Sequence, residues 1–168
     1  MAQLSTPANS VLRDPQHQVS PTARWWWATR AAIRWLIVIA AVVALVLFAD
    51  APAWLLYAAV VCTGLAIAHV VVMPLWRYRV HRWEASADAV YAFTGWLSTQ
   101  WRVVPLSRIQ TVDTKRGALE RLFRLATVTV TTASAAGEVR ITGLDVDVAG
   151  ELVEHLTATT QATPGDAT

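Results

Sequence analysis

The chain has 168 residues, 55% of them hydrophobic and 15% charged, with 14 basic against 12 acidic side chains for a formal net charge of +2. Soluble domains run nearer 45–50% apolar and about 25% charged, so this composition excludes an ordinary water-soluble enzyme, and its apolar wealth excludes a disordered chain. The near-neutral total gives no basic surplus of the kind nucleic-acid binders carry, and no nucleic-acid partner is expected. The balance is uneven: residues 1–82 hold seven arginines against Asp14 and Asp50, whereas residues 83–168 hold seven basic and ten acidic groups.

Residues 1–23 are rich in Ser, Thr, Pro, Gln and Asn, with few apolar side chains beyond Leu4, Val11, Leu12 and Val19, and read as a disordered tail. Residues 24–77 read as a transmembrane helical hairpin. Trp35 to Ala49 carries no charge, and extending back to Ala31 gives nineteen residues, about 28 Å of helix against a hydrocarbon core of about 30 Å. Arg34 then lies where its stem can snorkel to the headgroups. Asp50-Ala51-Pro52 makes a break, and Ala53 to Trp76 is again free of Asp, Glu, Lys and Arg. The spans are placed at about 31–49 and 53–76. A cleavable signal peptide does not suit the first run, which starts some thirty residues in and exceeds the usual apolar core of about 7–15 residues.

Arg24, Arg30 and Arg34 precede the first span, Arg77, Arg79 and Arg82 follow the second, and the connecting turn has no basic residue. The positive-inside rule puts both termini of this multi-pass membrane protein in the cytoplasm and the Asp50 turn outside. Trp25, Trp26, Trp27, Trp35, Trp76 and Tyr78 are expected to form the inner aromatic belt with these arginines as interface anchors, and Trp54 and Tyr57 to stand near the outer one. Ala40 and Ala44 on the first helix, and Gly64 and Ala68 on the second, are four apart and are candidates for close helix packing. His69 is the ionisable group of the second span; with no acidic partner in the membrane, it reads as a neutral imidazole hydrogen-bonded to the other helix rather than a proton relay. Cys62, the lone cysteine, lies in an apolar run and reads as a small buried hydrophobe.

Residues 78–157 change to short β-like runs: Tyr78–Trp83, Ala89–Thr94 ended by Gly95, Trp101–Leu106, Arg108–Thr114 and Ala126–Thr132. In the last of these Val128 and Val130 alternate with Thr127, Thr129 and Thr131. Ala135 to Glu138 reads as a hairpin turn, followed by a strand with Val139 and Ile141 on one face and Arg140 and Thr142 on the other. Asp147 is placed as the N-cap of a helix running to about Thr157, with Val148, Leu152 and Leu156 on one face, Ala149 and Val153 beside them, and Glu151 and Glu154 outward. This pattern predicts six or seven antiparallel strands closed by a helix. Residues 158–168 read as a second disordered tail.

Pro105-x-x-Arg108-Ile109-Gln110-x-Val112, leading to Arg116-Gly117-x-Leu119-x-Arg121-Leu122-Phe123-x-Leu125-Ala126, resembles the central signature of the bacterial pleckstrin-homology-like membrane proteins of the YdbS type, with two spans and one cytoplasmic domain. The likeness extends over about residues 30–157. It implies a PH-like β-sandwich or barrel with a C-terminal capping helix, anchored in the membrane. It implies no reaction, since the family as a whole is assigned no catalytic residues, and a fold alone assigns none.

There is no P-loop, G-x-G-x-x-G, G-x-S-x-G or H-E-x-x-H, and His17, His69, His81 and His155 are scattered through the chain. No catalytic residue, cofactor or metal ligand is therefore expected, and no small-molecule substrate is identified; Asp145 and Asp147 suit helix capping better than metal binding. The strongest ligand candidate is a basic edge of Arg108, Lys115, Arg116, Arg121 and Arg124, suited to anionic headgroups if it faces the bilayer. The competing reading pairs Arg108 and Arg121 with Asp113 and Glu120. The sequence thus favours a non-catalytic, membrane-anchored scaffold whose partners are the bilayer, a second copy or a related membrane protein. Headgroup recognition, or an envelope-defence or transport-accessory role of the hairpin, stands as the alternative.

Overall fold

The computed structural model describes residues 15–48, 52, 54–132 and 137–162. The expected tails at 1–14 and 163–168, most of the Asp50 turn, and Ala135 and Ala136 of the expected hairpin lie outside them. Two long helices lie in the N-terminal half: α1, Ala23–Phe48, and α2, Trp54–Val80. Each is long and apolar enough to cross a bilayer, and only 6% of each apolar stretch is buried within the chain. A soluble core helix would bury most of that surface, so these flanks belong to lipid. At about 1.5 Å per residue the helices reach about 40 Å, longer than the hydrocarbon core, and the excess lies at the domain end. Tyr78 to Val80, expected as extended chain, completes α2, and the first strand after the helix begins at Arg82.

Among the described residues seven strands, one before α1 and six after α2, form two antiparallel sheets. The first has the order β1 (His17–Gln18), β2 (Arg82–Ala85), β3 (Ala89–Gly95), β4 (Thr99–Pro105); the second has β5 (Ile109–Lys115), β6 (Leu125–Thr132), β7 (Val139–Asp145). A 3-10 turn, Leu106–Arg108, carries the chain between sheets, and a five-residue helix α3, Ala118–Leu122, joins β5 to β6. The alternation expected in β6 and β7 is present: Val128, Val130, Val139 and Ile141 are buried. They meet Val90, Ala92, Val104, Leu106 and Ile109 of the other layer. The closing helix α4, Val146–Ala162, covers this core.

Three expectations at the termini are corrected. Residues 15–23 are no tail: Pro15, Val19 and Ala23 are buried, and His17 and Gln18 pair with Trp83 and Arg82. The ladder partner lies some sixty residues on, so nothing local signals it. The last helix passes Thr157, held by Thr157, Thr159 and Thr160 hydroxyls donating to carbonyls four residues back. Its cap is Asp145, whose Oδ1 accepts the Asp147 N–H at 3.2 Å, and its buried stripe is Ala149, Leu152 and Leu156, with Val148 exposed.

The start of α1 and the domain meet at Gly143, which has φ +81° and whose carbonyl accepts the Ser20 N–H at 2.9 Å. A Cβ there would lie 2.9 Å from that of Ala23. Gly143→Ala is therefore expected to lower stability by about 1–2 kcal/mol from the left-handed backbone alone, and more from the clash, read as a drop in the thermal midpoint of the full chain in micelles.

Candidate functional site

The site with the most chemistry is where the domain meets the helices. Val19, Ala23, Trp26, Trp27, Ala31, Met73 and Leu125 form a buried cluster with Leu119, Phe123, Tyr78, Trp83 and Trp96 packed around it. Trp26 and Trp27, expected in the lipid-facing belt, are instead its centre, Trp27 being 1% exposed. One face of α1's first turns is covered by α3 and β6, and the indoles fill that interface; Trp25 and Trp76 remain outward. Trp54 and Tyr57 are exposed near the other end.

The anchor arginines lie on this cluster. Arg77 stacks 4.7 Å from the Trp27 ring, Arg30 lies 5.2 Å from Trp26, and Arg24 lies 5.3 Å from Tyr78. Such cation–π pairs hold the guanidinium in place while leaving its charge unneutralised. Arg34 Nε donates to the Arg30 carbonyl one turn back. Arg79 is exposed and Arg82 enters β2.

His81, 2% exposed, packs 5.0 Å from Trp27. Arg77 Nε donates to His81 Nε2 at 3.3 Å, so that nitrogen is the acceptor, and Nδ1–H donates to the Arg77 carbonyl at 2.9 Å. The imidazole is thereby specified as neutral. Burial, then the Arg77 charge, push its pKa down from 6.5 to about 4. Because the folded value lies below the unfolded one, the folded state binds fewer protons. The contribution of His81 is complete above pH 6.5 and is lost as the pH falls from 6.5 toward 4. Stability is expected to fall by about 3 kcal/mol across that window, and His81→Phe should flatten the slope in unfolding measurements from pH 7 to pH 4.

His69 Nδ1 accepts the Trp35 Nε1–H at 3.0 Å, joining the helices as a neutral imidazole would. Trp96, at the β3–β4 turn, sets its ring 6.2 Å from that of His69. Trp96 and Glu120 are functional candidates that the sequence reading missed. Trp96 follows a strand-ending glycine and looks like a loop residue, and Glu120 looks like one more surface charge of a basic segment.

The basic edge divides. Lys115, Arg116, Arg121 and Arg124 gather around α3 and its flanks, but Arg108 lies at the opposite end of β5 from Lys115, about 23 Å away along an extended strand. The expected ion pairs do not form: Asp113 accepts the Thr111 hydroxyl at 3.3 Å, and Glu120 is buried with other partners. Arg116 Nε donates to the Leu125 carbonyl, and Arg124 faces Asp147 at 3.6 Å with both side chains exposed. Arg124 also takes φ +54°, closing α3 in the left-handed region. Ala40, Ala44, Gly64 and Ala68 do not pack the two helices together: all four are exposed, and nothing lies within 4 Å of a Cβ built at Gly64. The small residues buried where the helices meet the domain are Ala23 and Ala31, and Ala66 is buried further along α2. Cys62 is half-buried.

A family model described as "Bacterial PH domain" matches residues 31–160. The chain is 28% identical over 157 residues, covering 90% of this chain and 97% of its relative, to a protein named "UPF0699 transmembrane protein YdbS" from Bacillus subtilis (strain 168). No solved structure matches.

Proposed function

Because the chain belongs to the bacterial PH domain family, we propose that it is a non-catalytic, membrane-anchored scaffold acting through a second copy or another membrane protein. The observation that carries this reading is the clamp. Trp26, Trp27, Leu119, Phe123 and Leu125 fix the domain to its own helices, so the two move as one body and present a fixed surface at the membrane. The arginines gathered at the domain end favour a cytoplasmic domain with both termini inside. The outward faces at Ala40, Ala44, Gly64 and Ala68 let a neighbouring helix approach closely.

Photocrosslinking from position 64 or 68 in native membranes tests it. A discrete adduct with a second copy or one membrane protein is expected, and lipid adducts alone would overturn the reading. Orientation is checked with a cysteine at position 50 in a Cys62→Ala background: labelling in intact cells is expected, and labelling only after permeabilisation would reverse the topology. A second reading, headgroup recognition by Lys115, Arg116, Arg121 and Arg124, is favoured by their exposed guanidinium and ammonium groups beside α3. Neutralising all four should then weaken association of the reconstituted chain with anionic lipid specifically.

A further inference from the structure

The turn between β3 and β4, Gly95-Trp96-Leu97-Ser98, climbs along α2. Its Trp96 ring meets His69 edge-on, with an interplanar angle of 64°. His69 lies eight residues before Arg77, about 12 Å further along the helix toward the bilayer centre. Because Trp35 donates to His69, Trp35 and its neighbour Arg34 share that level. Between His69 and Arg77, α2 exposes Val71, Val72, Leu75 and Trp76. That surface is stable only if lipid reaches at least this far, and the turn lies beside it.

The turn has the chemistry to enter lipid as well as the position. Thr94 to Gln100 holds no charged residue. Leu97, at its apex, is 90% exposed, and no partner for it is present among the described residues. Trp96 places an amphipathic ring at the level where tryptophans gather in membrane proteins. The hairpin's strands are fully paired up to the turn, Gly95 opposite Thr99, so few backbone polar groups would be carried into the interface.

We propose that the β3–β4 turn inserts Trp96 and Leu97 into the leaflet on the domain's side, at the boundary of headgroups and acyl chains. The turn is then a third membrane attachment beside the two helices. It pins the first sheet at the strand end where Gln18 pairs with Arg82 and Arg82 with Phe93, the same end as the Ser20–Gly143 contact, and so limits the tilt of the domain. The proposal rests on the hairpin spanning the bilayer and is independent of the partner proposed above.

The test uses the full chain with Cys62→Ala, reconstituted into vesicles, with a fluorophore at Leu97→Cys or, as a water-facing control, at Glu151→Cys on α4. In vesicles with brominated acyl chains, the label at position 97 is expected to lose most of its emission and to be shielded from aqueous iodide, while the label at 151 shows the reverse. Equal iodide quenching at both positions would overturn the proposal. Shielding from iodide without quenching by brominated lipid would identify a protein cover, such as a second copy, and would overturn it equally.

Discussion

Trp27→Ala is expected to cost about 3–5 kcal/mol, the range for removing a large aromatic from a packed interior. The loss concentrates where the domain meets the helices. Trp27 touches α1's own neighbour Trp26, the His81 ring and the Arg77 guanidinium, so alanine removes packing from both sides of the clamp and bares a desolvated arginine. The β core is a separate cluster, which makes uncoupling without unfolding the predicted outcome. In hydrogen–deuterium exchange of the reconstituted chain, the Ser20 amide, which donates to Gly143, and the β1–β2 ladder should lose protection, while β5, β6 and β7 keep theirs. Unchanged exchange at Ser20 would show that the domain is held some other way. Trp27→Phe is a sharp control. The indole Nε1 has no hydrogen-bond partner among the described residues, so phenylalanine sacrifices volume and no bond, and should cost less than half as much as alanine.

The parts of the fold legible in the sequence are those whose physics is local. Two uncharged runs of membrane length, arginines at the same end of both, and the Val128/Val130 alternation each report a rule that needs only near neighbours. The missed parts depend on contacts between distant residues. His17 and Gln18 form a strand because Trp83 and Arg82 offer an edge, and polar residues 15–22 carry no periodicity that would announce it. Trp26 and Trp27 obey the composition of an interfacial belt, yet the docked domain converts that position into a buried one. Arg108 shares one signature-like segment with Arg116 and Arg121 in the sequence, but the extended β5 separates them in space. The candidate site was legible as a set of residue types and not as a place, because residue types and their spacing say nothing of which side chains face each other across the fold.

Glu120 shows why that distinction matters, and Glu120→Ala is the second large expected effect. The side chain is 8% exposed. Its Oε2 accepts the Gly117 N–H and its Oε1 accepts the Thr127 hydroxyl, both at 2.6 Å. One carboxylate thus caps the first turn of α3 from inside the helix and ties α3 to β6. Each bond to a charged acceptor contributes about 1.5–3 kcal/mol. Water can partly replace the carboxylate at Gly117, which is exposed, but less so at Thr127, so a total loss of about 2–4 kcal/mol is expected. Glutamine should lose less, since its carbonyl can accept from Gly117 while its amide donates to the Thr127 oxygen. The consequence extends past α3, because Leu119 and Phe123 enter the clamp from this helix. Glu120→Ala and Trp27→Ala should therefore be less than additive, each already loosening the interface that the other supports. Full additivity in unfolding free energy would mean that α3 closes the β5–β6 connection without holding the domain to the membrane helices, and the clamp would then rest on β6 and the N-terminal segment alone.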